Sequence, residues 1–205
     1  MKTVAIIDYN MGNIDSVVRA VKECGGSPLV TNKASEIESS QFIILPGVGA
    51  FPDAMSQLKK YSLDEVLREQ ILDKEKPFLG ICLGMQVMVD MGLERGETKG
   101  LGLLPGIAKR FEADSATTRI PHIGWNEVNQ IKDSPILKDI PMGTNFYFVH
   151  SYHVATDEEN VIAQTPYCGE FNSIISIKRA FGVQFHPEKS QKAGFKLLKN
   201  FLALY

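Results

Sequence analysis

No stretch of the sequence stays apolar for the length a membrane-spanning helix needs. The opening "MKTVAIIDYN" has one lysine and an apolar run cut off at Asp8, too short for a signal peptide. Charge of one sign is also scarce: 22 Lys and Arg stand against 24 Asp and Glu, a formal net charge of −2. With no basic surplus, neither nucleic acid nor an anionic membrane is expected as a partner. Cysteine is sparse too. Cys24, Cys82 and Cys168 are odd in number and widely spaced, which argues against a disulfide framework and for a reducing, cytoplasmic setting. There is no internal repeat, no low-complexity tract and no long linker, so residues 1–205 are expected to form one domain.

What is present is 44% hydrophobic and long enough to bury a full core. The first half alternates. "TVAIIDY", "PLVT", "FIILPG" and "KPFLGI" are short apolar strands, and "NIDSVVRAVKEC", "SEIESS", "DAMSQLKK" and "LDEVLREQILDK" have helical spacing between them. That order predicts a mostly parallel sheet flanked by helices. The second half, "IAKRFEAD", "TTRIPHIGWNEV", "NFYFVHSYHVAT", "VIAQTPY", "NSIISIKR" and "FGVQFHP", predicts mixed or antiparallel strands. "SQKAGFKLLKNFLALY" closes it as an amphipathic helix with Phe195, Leu198 and Leu202 on one stripe. The expected fold class is therefore α/β.

One cysteine is framed. In "GICLG" the spacing G-x-C-x-G around Cys82 matches a nucleophile elbow, a sharp strand-to-helix turn whose glycines let backbones approach closely. A helix beginning near Leu83 would favour thiolate through its dipole. The alternative is a small buried hydrophobe, the usual fate of a free cysteine. Cys24, on a helix stripe, and Cys168, in a turn, have no such frame and no assigned chemistry.

A thiolate needs a base and the base an orienter. Among His122, His150, His153 and His186, the last sits in "FGVQFHPE", where extended chain puts His186 and Glu188 on one face and Pro187 suits an exposed strand end. An ordinary His–Glu surface pair is the alternative. The histidines have no metal-ligand spacing and no nearby cysteine, so no metal is expected. In "LPGVGAF", Gly47, Val48 and Gly49 form a loop whose amides can supply half an oxyanion hole, with the Leu83 amide as the other half. The loop lacks the lysine of a P-loop, and no dinucleotide fingerprint is present.

These pieces, "LPGVGAF", "GICLGMQ" and "FGVQFHPEKS" in that order, resemble the class I glutamine amidotransferases. "IDYNMGNIDSV", "PHIGWNEV" and "FYFVHSYHV" resemble more narrowly the glutaminase subunits of imidazole glycerol phosphate synthases. The resemblance implies Cys82 as nucleophile, His186 as base and acid, Glu188 as its orienter, and Gly47, Val48, Gly49 and Leu83 at the oxyanion hole. It implies Gln86, Glu94, Ser151 and Tyr152 as glutamine contacts. It further implies no cofactor, and a (β/α)8-barrel cyclase partner in a heterodimer, receiving ammonia near residues 10–13 (Asn10 and Asn13), Trp125 and Lys189. Without the family, Gln86 and Glu94 read equally well as solvated residues around the elbow helix, and Tyr152 as a wall of the core. Trp125 reads as a core or edge-capping aromatic and Lys189 as a solvated charge. The glycines flanking Val48 permit its peptide to rest turned away and to flip when the partner is loaded. His153 is given no role. The alternative acceptor is a related synthase that amidates a surface-polysaccharide sugar.

Overall fold

The computed structural model describes residues 2–113 and 118–204. Asp114 and Thr117, at the ends of two expected strands, and Tyr205, at the end of the expected last helix, lie outside them. The first half builds β1 (Lys2–Ile7), α1 (Ile14–Glu23), β2 (Gly26–Thr31), α2 (Ala34–Ser39), β3 (Phe42–Gly47), α3 (Phe51–Lys60), α4 (Leu63–Arg68) and β4 (Phe78–Cys82). The order alternates as the apolar runs predict. The tail of α4 differs: residues Glu69–Asp73 widen into a π-helix.

Beyond the elbow come α5 (Leu83–Gln86), β5 (Met91–Gly92), β6 (Thr98–Lys99), β7 (Ile107–Arg110), β8 (His122–Gln130), β9 (Thr144–His150), β10 (Tyr152–Ala155), β11 (Val161–Pro166), β12 (Glu170–Ile177), β13 (Ala180–Val183) and α6 (Gln191–Leu202). The main sheet runs β2-β1-β3-β4-β13-β12-β10-β7-β5-β6. Its first five strands pair in parallel, and β12 turns antiparallel against β13. β8 and β9 form an antiparallel hairpin joined to the sheet through β11.

Side-chain alternation sorts the core into two layers. Val4, Ile6, Ile44, Leu79 and Ile81 pack with Val17 and Val21 of α1 and Leu197, Leu198 and Phe201 of α6. Ala5, Ile7, Ile43, Leu45 and Phe78 face the other way, onto Ala54, Met55 and Leu58 of α3 and Leu63 and Leu67 of α4. Each fully buried large aliphatic side chain contributes roughly 1.5–3 kcal/mol relative to exposure. On α6 the buried stripe is centred on Leu197, Leu198 and Phe201, while Phe195, expected on it, is half-buried at its margin. Among the described residues, no helix is long and apolar enough to cross a membrane.

The placement that matters for chemistry is the common edge at which β3, β4 and β13 end. Parallel strands deliver their carboxyl ends to one side, where open α/β sheets hold ligands. Gly47 pairs with Cys82 across β3–β4, and Val183 with Ile81 across β13–β4. The glycine loop, the framed cysteine and the chain leading to His186 therefore emerge side by side.

Candidate active site

Cys82 ends β4 with φ +54° and ψ −106°, a left-handed strain that a non-glycine residue keeps only where its surroundings impose it. The flanking glycines are the reason the turn closes. A Cβ on Gly80 would stand 2.6 Å from the Gly84 carbonyl oxygen, and one on Gly84 would stand 1.9 Å from that of Leu45. The helix that follows is only four residues, Leu83–Gln86. The helix dipole expected behind the sulfur is thus that of a single turn. The electrostatic partner of the sulfur lies elsewhere.

That partner is His186. Its Nδ1–H donates to Glu188 Oε1 at 2.8 Å, with both side chains almost wholly buried. Extended-strand alternation is not how Glu188 arrives: β13 stops at Val183, and Pro187–Lys189 is a 3-10 turn that swings the carboxylate back. Burial alone would lower the His186 pKa, but Cys82 and Glu188 outweigh it and hold it up at about 10. His186 Nε2 is buried with no hydrogen-bond partner and is left to face the cavity it lines. At neutral pH the imidazole is charged.

The cavity measures about 240 Å³ and is lined by Val48, Gly49, Cys82, Leu83, Gln86, Val149, His150, Ser151, Tyr152 and His186. It is a small site, below the roughly 300–1,000 Å³ typical of drug-sized ligands. Ser151 and Tyr152 enter it because the expected "NFYFVHSYHVAT" strand breaks at Ser151 into β9 and β10. Glu94 is not among the lining residues. Its carboxylate accepts from the Phe51 amide at 2.9 Å and caps the start of α3. In the glycine loop, the Val48 amide donates to the Met11 carbonyl at 2.6 Å, so it points into the 10–13 loop and not toward the sulfur.

Of the residues expected to meet a partner, Asn10 has φ +65° and donates from its side chain to the Tyr61 hydroxyl at 2.8 Å. Asn13 precedes α1 and caps it with no side-chain bond. Trp125 meets Tyr147 edge-on at 6.0 Å, and Lys189 Nζ lies 5.9 Å over the same ring. Trp125 is 48% exposed and its strand neighbour Ile123 61%, so Trp125 is not a core residue.

Three groups were missed by sequence reading. Gln184 is fully buried and donates to Cys82 Sγ at 3.6 Å. The Tyr9 hydroxyl is buried without a hydrogen-bond partner, and its pKa is raised by burial and then by the charge of Cys82. Finally, His122 and the cavity-lining His150 lie 3.1 Å apart, ring nitrogen to ring nitrogen. The signal for Gln184 was its place two residues before His186 in an otherwise apolar strand. Among the described residues, no group of three or more His, Cys, Asp or Glu is placed to hold a metal ion.

Residues 5–204 match the family described as Glutamine amidotransferase class-I. A protein of Chlorobaculum tepidum named imidazole glycerol phosphate synthase subunit HisH is 47% identical over 97% of this chain and 98% of its own. A subunit HisH 1 of Campylobacter jejuni is 42% identical over 98% of this chain and all of its own. Among solved structures, PurLQS from Thermotoga maritima has a TM-score of 0.72 at 18% identity, covering 98% of both chains, a likeness of fold.

Proposed function

This chain belongs to the class I glutamine amidotransferase family, and on that premise we propose that it is the glutaminase subunit of an imidazole glycerol phosphate synthase. It hydrolyses glutamine and passes the ammonia to a cyclase in histidine biosynthesis. Near-full-length identity to proteins named HisH supports this acceptor. The observation that carries the chemistry is the buried Glu188–His186 pair, aimed at a cysteine on a strained elbow. In this reading residues 1–205 act as one glutaminase domain, and a reducing cytoplasm suits its unpaired nucleophilic thiol.

The Cys82 thiolate attacks the side-chain amide carbon of glutamine, and negative charge moves to the amide oxygen. The charged His186 gives its Nε2 proton to the departing nitrogen, which leaves as ammonia, and a γ-glutamyl thioester remains. One of the influences that hold the His186 proton, the attraction of the Cys82 charge, ends once the sulfur is acylated. His186 then becomes a competent base. It takes a proton from water, the hydroxyl adds to the thioester, and glutamate and thiolate are released. Gln86, Ser151 and Tyr152 hold the substrate, with Glu94 near the rim once its bond to Phe51 is exchanged.

The oxyanion is stabilised by the Leu83 amide and, after a flip, by that of Val48. At rest the Val48 amide is committed to Met11, so one donor is missing. Gly49, at φ +106°, gives the loop the freedom to turn. The 10–13 loop holds both Met11 and the expected partner contact Asn10, so a partner pressing on it can release the bond. A (β/α)8-barrel cyclase is the partner proposed. The exposed Ile123, Trp125 and Val48 support a docking face here, because Ile123 pairs with the cavity-lining Val149. One oxyanion donor is typically worth about 10²–10³ in rate. Glutaminase turnover is expected to rise by about that factor when the cyclase subunit and its phosphoribosyl substrate are added. Equal turnover with and without them would contradict the switch.

A further inference from the structure

Gln184 is 0% exposed, a position where an apolar residue is the default. A buried primary amide is costly unless its groups are paired, so its partners are informative. One end of the amide lies 3.6 Å from Cys82 Sγ and the other 3.3 Å from Gln86 Nε2. Which end is nitrogen follows from a third contact. Gln86 Nε2 lies 3.0 Å from the Tyr152 carbonyl oxygen, which can only accept. The Gln86 atom there must therefore be nitrogen. Its other hydrogen goes to Gln184, whose facing atom must be oxygen, and the Gln184 nitrogen is left to the sulfur.

The Tyr152 carbonyl is itself pinned. It accepts from His150 Nδ1 at 2.8 Å, which fixes the hydrogen of neutral His150 on that nitrogen. His150 Nε2 then accepts from His122 Nδ1, and His122 Nε2 accepts from Asn126 Nδ2 at 3.2 Å. Two branches thus converge on the Tyr152 carbonyl oxygen, one from the histidines and one from Gln86, and the second hydrogen of Gln86 leads through Gln184 to the nucleophile.

Resting on the glutaminase reading above, we infer that Gln184 is a catalytic residue whose amide N–H holds the Cys82 sulfur anion. A hydrogen bond to an anion is stronger than one to a neutral thiol. Gln184 thus favours the thiolate before attack and again when sulfur leaves the thioester. His186, which lines the same cavity as Cys82, gives its proton away during the reaction; Gln184 keeps its own. The sulfur is then steadied by a donor that does not titrate while His186 moves protons.

The test compares Gln184→Met, which removes the donor, and Gln184→Glu, a near-isostere that sets a negative charge beside the sulfur. Carboxamidomethylation of Cys82 in the full chain at about pH 7 is followed by peptide mass, with Cys24 as the internal control for folding. Loss of one hydrogen bond to an anion predicts alkylation about tenfold slower in Q184M, and slower still in Q184E. In the complex with the cyclase, kcat falls by a similar factor with KM for glutamine within about twofold. A merely structural amide predicts the reverse order, with the isosteric Q184E closest to wild type. Wild-type alkylation and kcat in Q184M, or in Q184E should Q184M misfold, overturn the inference. Cys82→Ala separates the two levels: turnover in C82A overturns the glutaminase reading, whereas an inactive C82A beside a wild-type-like Gln184 variant overturns only the role of Gln184.

Discussion

Glu188 receives the Nδ1 hydrogen of His186 at 2.8 Å inside the protein, and its second carboxylate oxygen, also buried, has no hydrogen-bond partner. The carboxylate is thus committed to the imidazole. It fixes the tautomer that leaves Nε2 toward the cavity and helps keep the ring charged at neutral pH.

Glu188→Gln removes that anion while keeping the shape, and a glutamine can turn its NH2 toward Nδ1 and select the wrong tautomer. The kcat for glutamine is expected to fall by about a hundredfold or more. The sign of the pH effect follows from a raised imidazole pKa: the charged ring survives up to about pH 10 in the wild type. The alkaline decline of kcat/KM should begin at lower pH in the variant. A pH–rate profile superimposable on wild type would contradict the pairing.

Gly84 packs against the Leu45 backbone with no room for a methyl group. Gly84→Ala must push the elbow off β3, an overpacking cost of about 3 kcal/mol or more. For a chain of this size that lowers Tm by about 6–12 °C, measured by thermal denaturation. A variant melting within about 2 °C of wild type would show that the turn does not depend on this contact.

The buried and half-buried histidines His122, His150 and His153 give the protein an acid-sensitive core. Burial lowers His122 to about 4, His150 to about 3 and His153 to about 4. All three stay neutral in the fold while the unfolded chain binds protons below about pH 6.5. Their stabilisation is present above that pH and is lost as pH falls toward 3–4. His186 is shifted the other way. It is protonated in both states across this window, and its contribution is lost only as pH rises through about 10. Calorimetric unfolding near pH 5.5 in buffers of different ionisation enthalpy should show uptake of about three histidine protons. Uptake near zero would mean that these rings are charged in the native state.

The sequence displayed the parallel half of the fold plainly, because β1, β3 and β4 are buried on both faces and so are continuous apolar runs. It also displayed Cys82, since glycine at both flanks leaves a spacing pattern. Contacts decided by direction were hidden. Nothing local says that the Val48 amide turns to Met11, that Glu94 reaches back to Phe51, or that the elbow helix stops after one turn. Gln184 was visible only as a polar residue in an apolar strand, and its meaning came from a sulfur 102 positions away in the chain.

The central claim, that Cys82 carries the γ-glutamyl group, is tested most directly by acid-quenching the cyclase complex during glutamine turnover and weighing its peptides. One γ-glutamyl group is expected on the peptide containing Cys82 and on no other, and Cys82→Ala should lose both the adduct and ammonia release while keeping the wild-type fold by circular dichroism. Steady ammonia release from C82A, or an adduct on a different residue, would contradict the assignment.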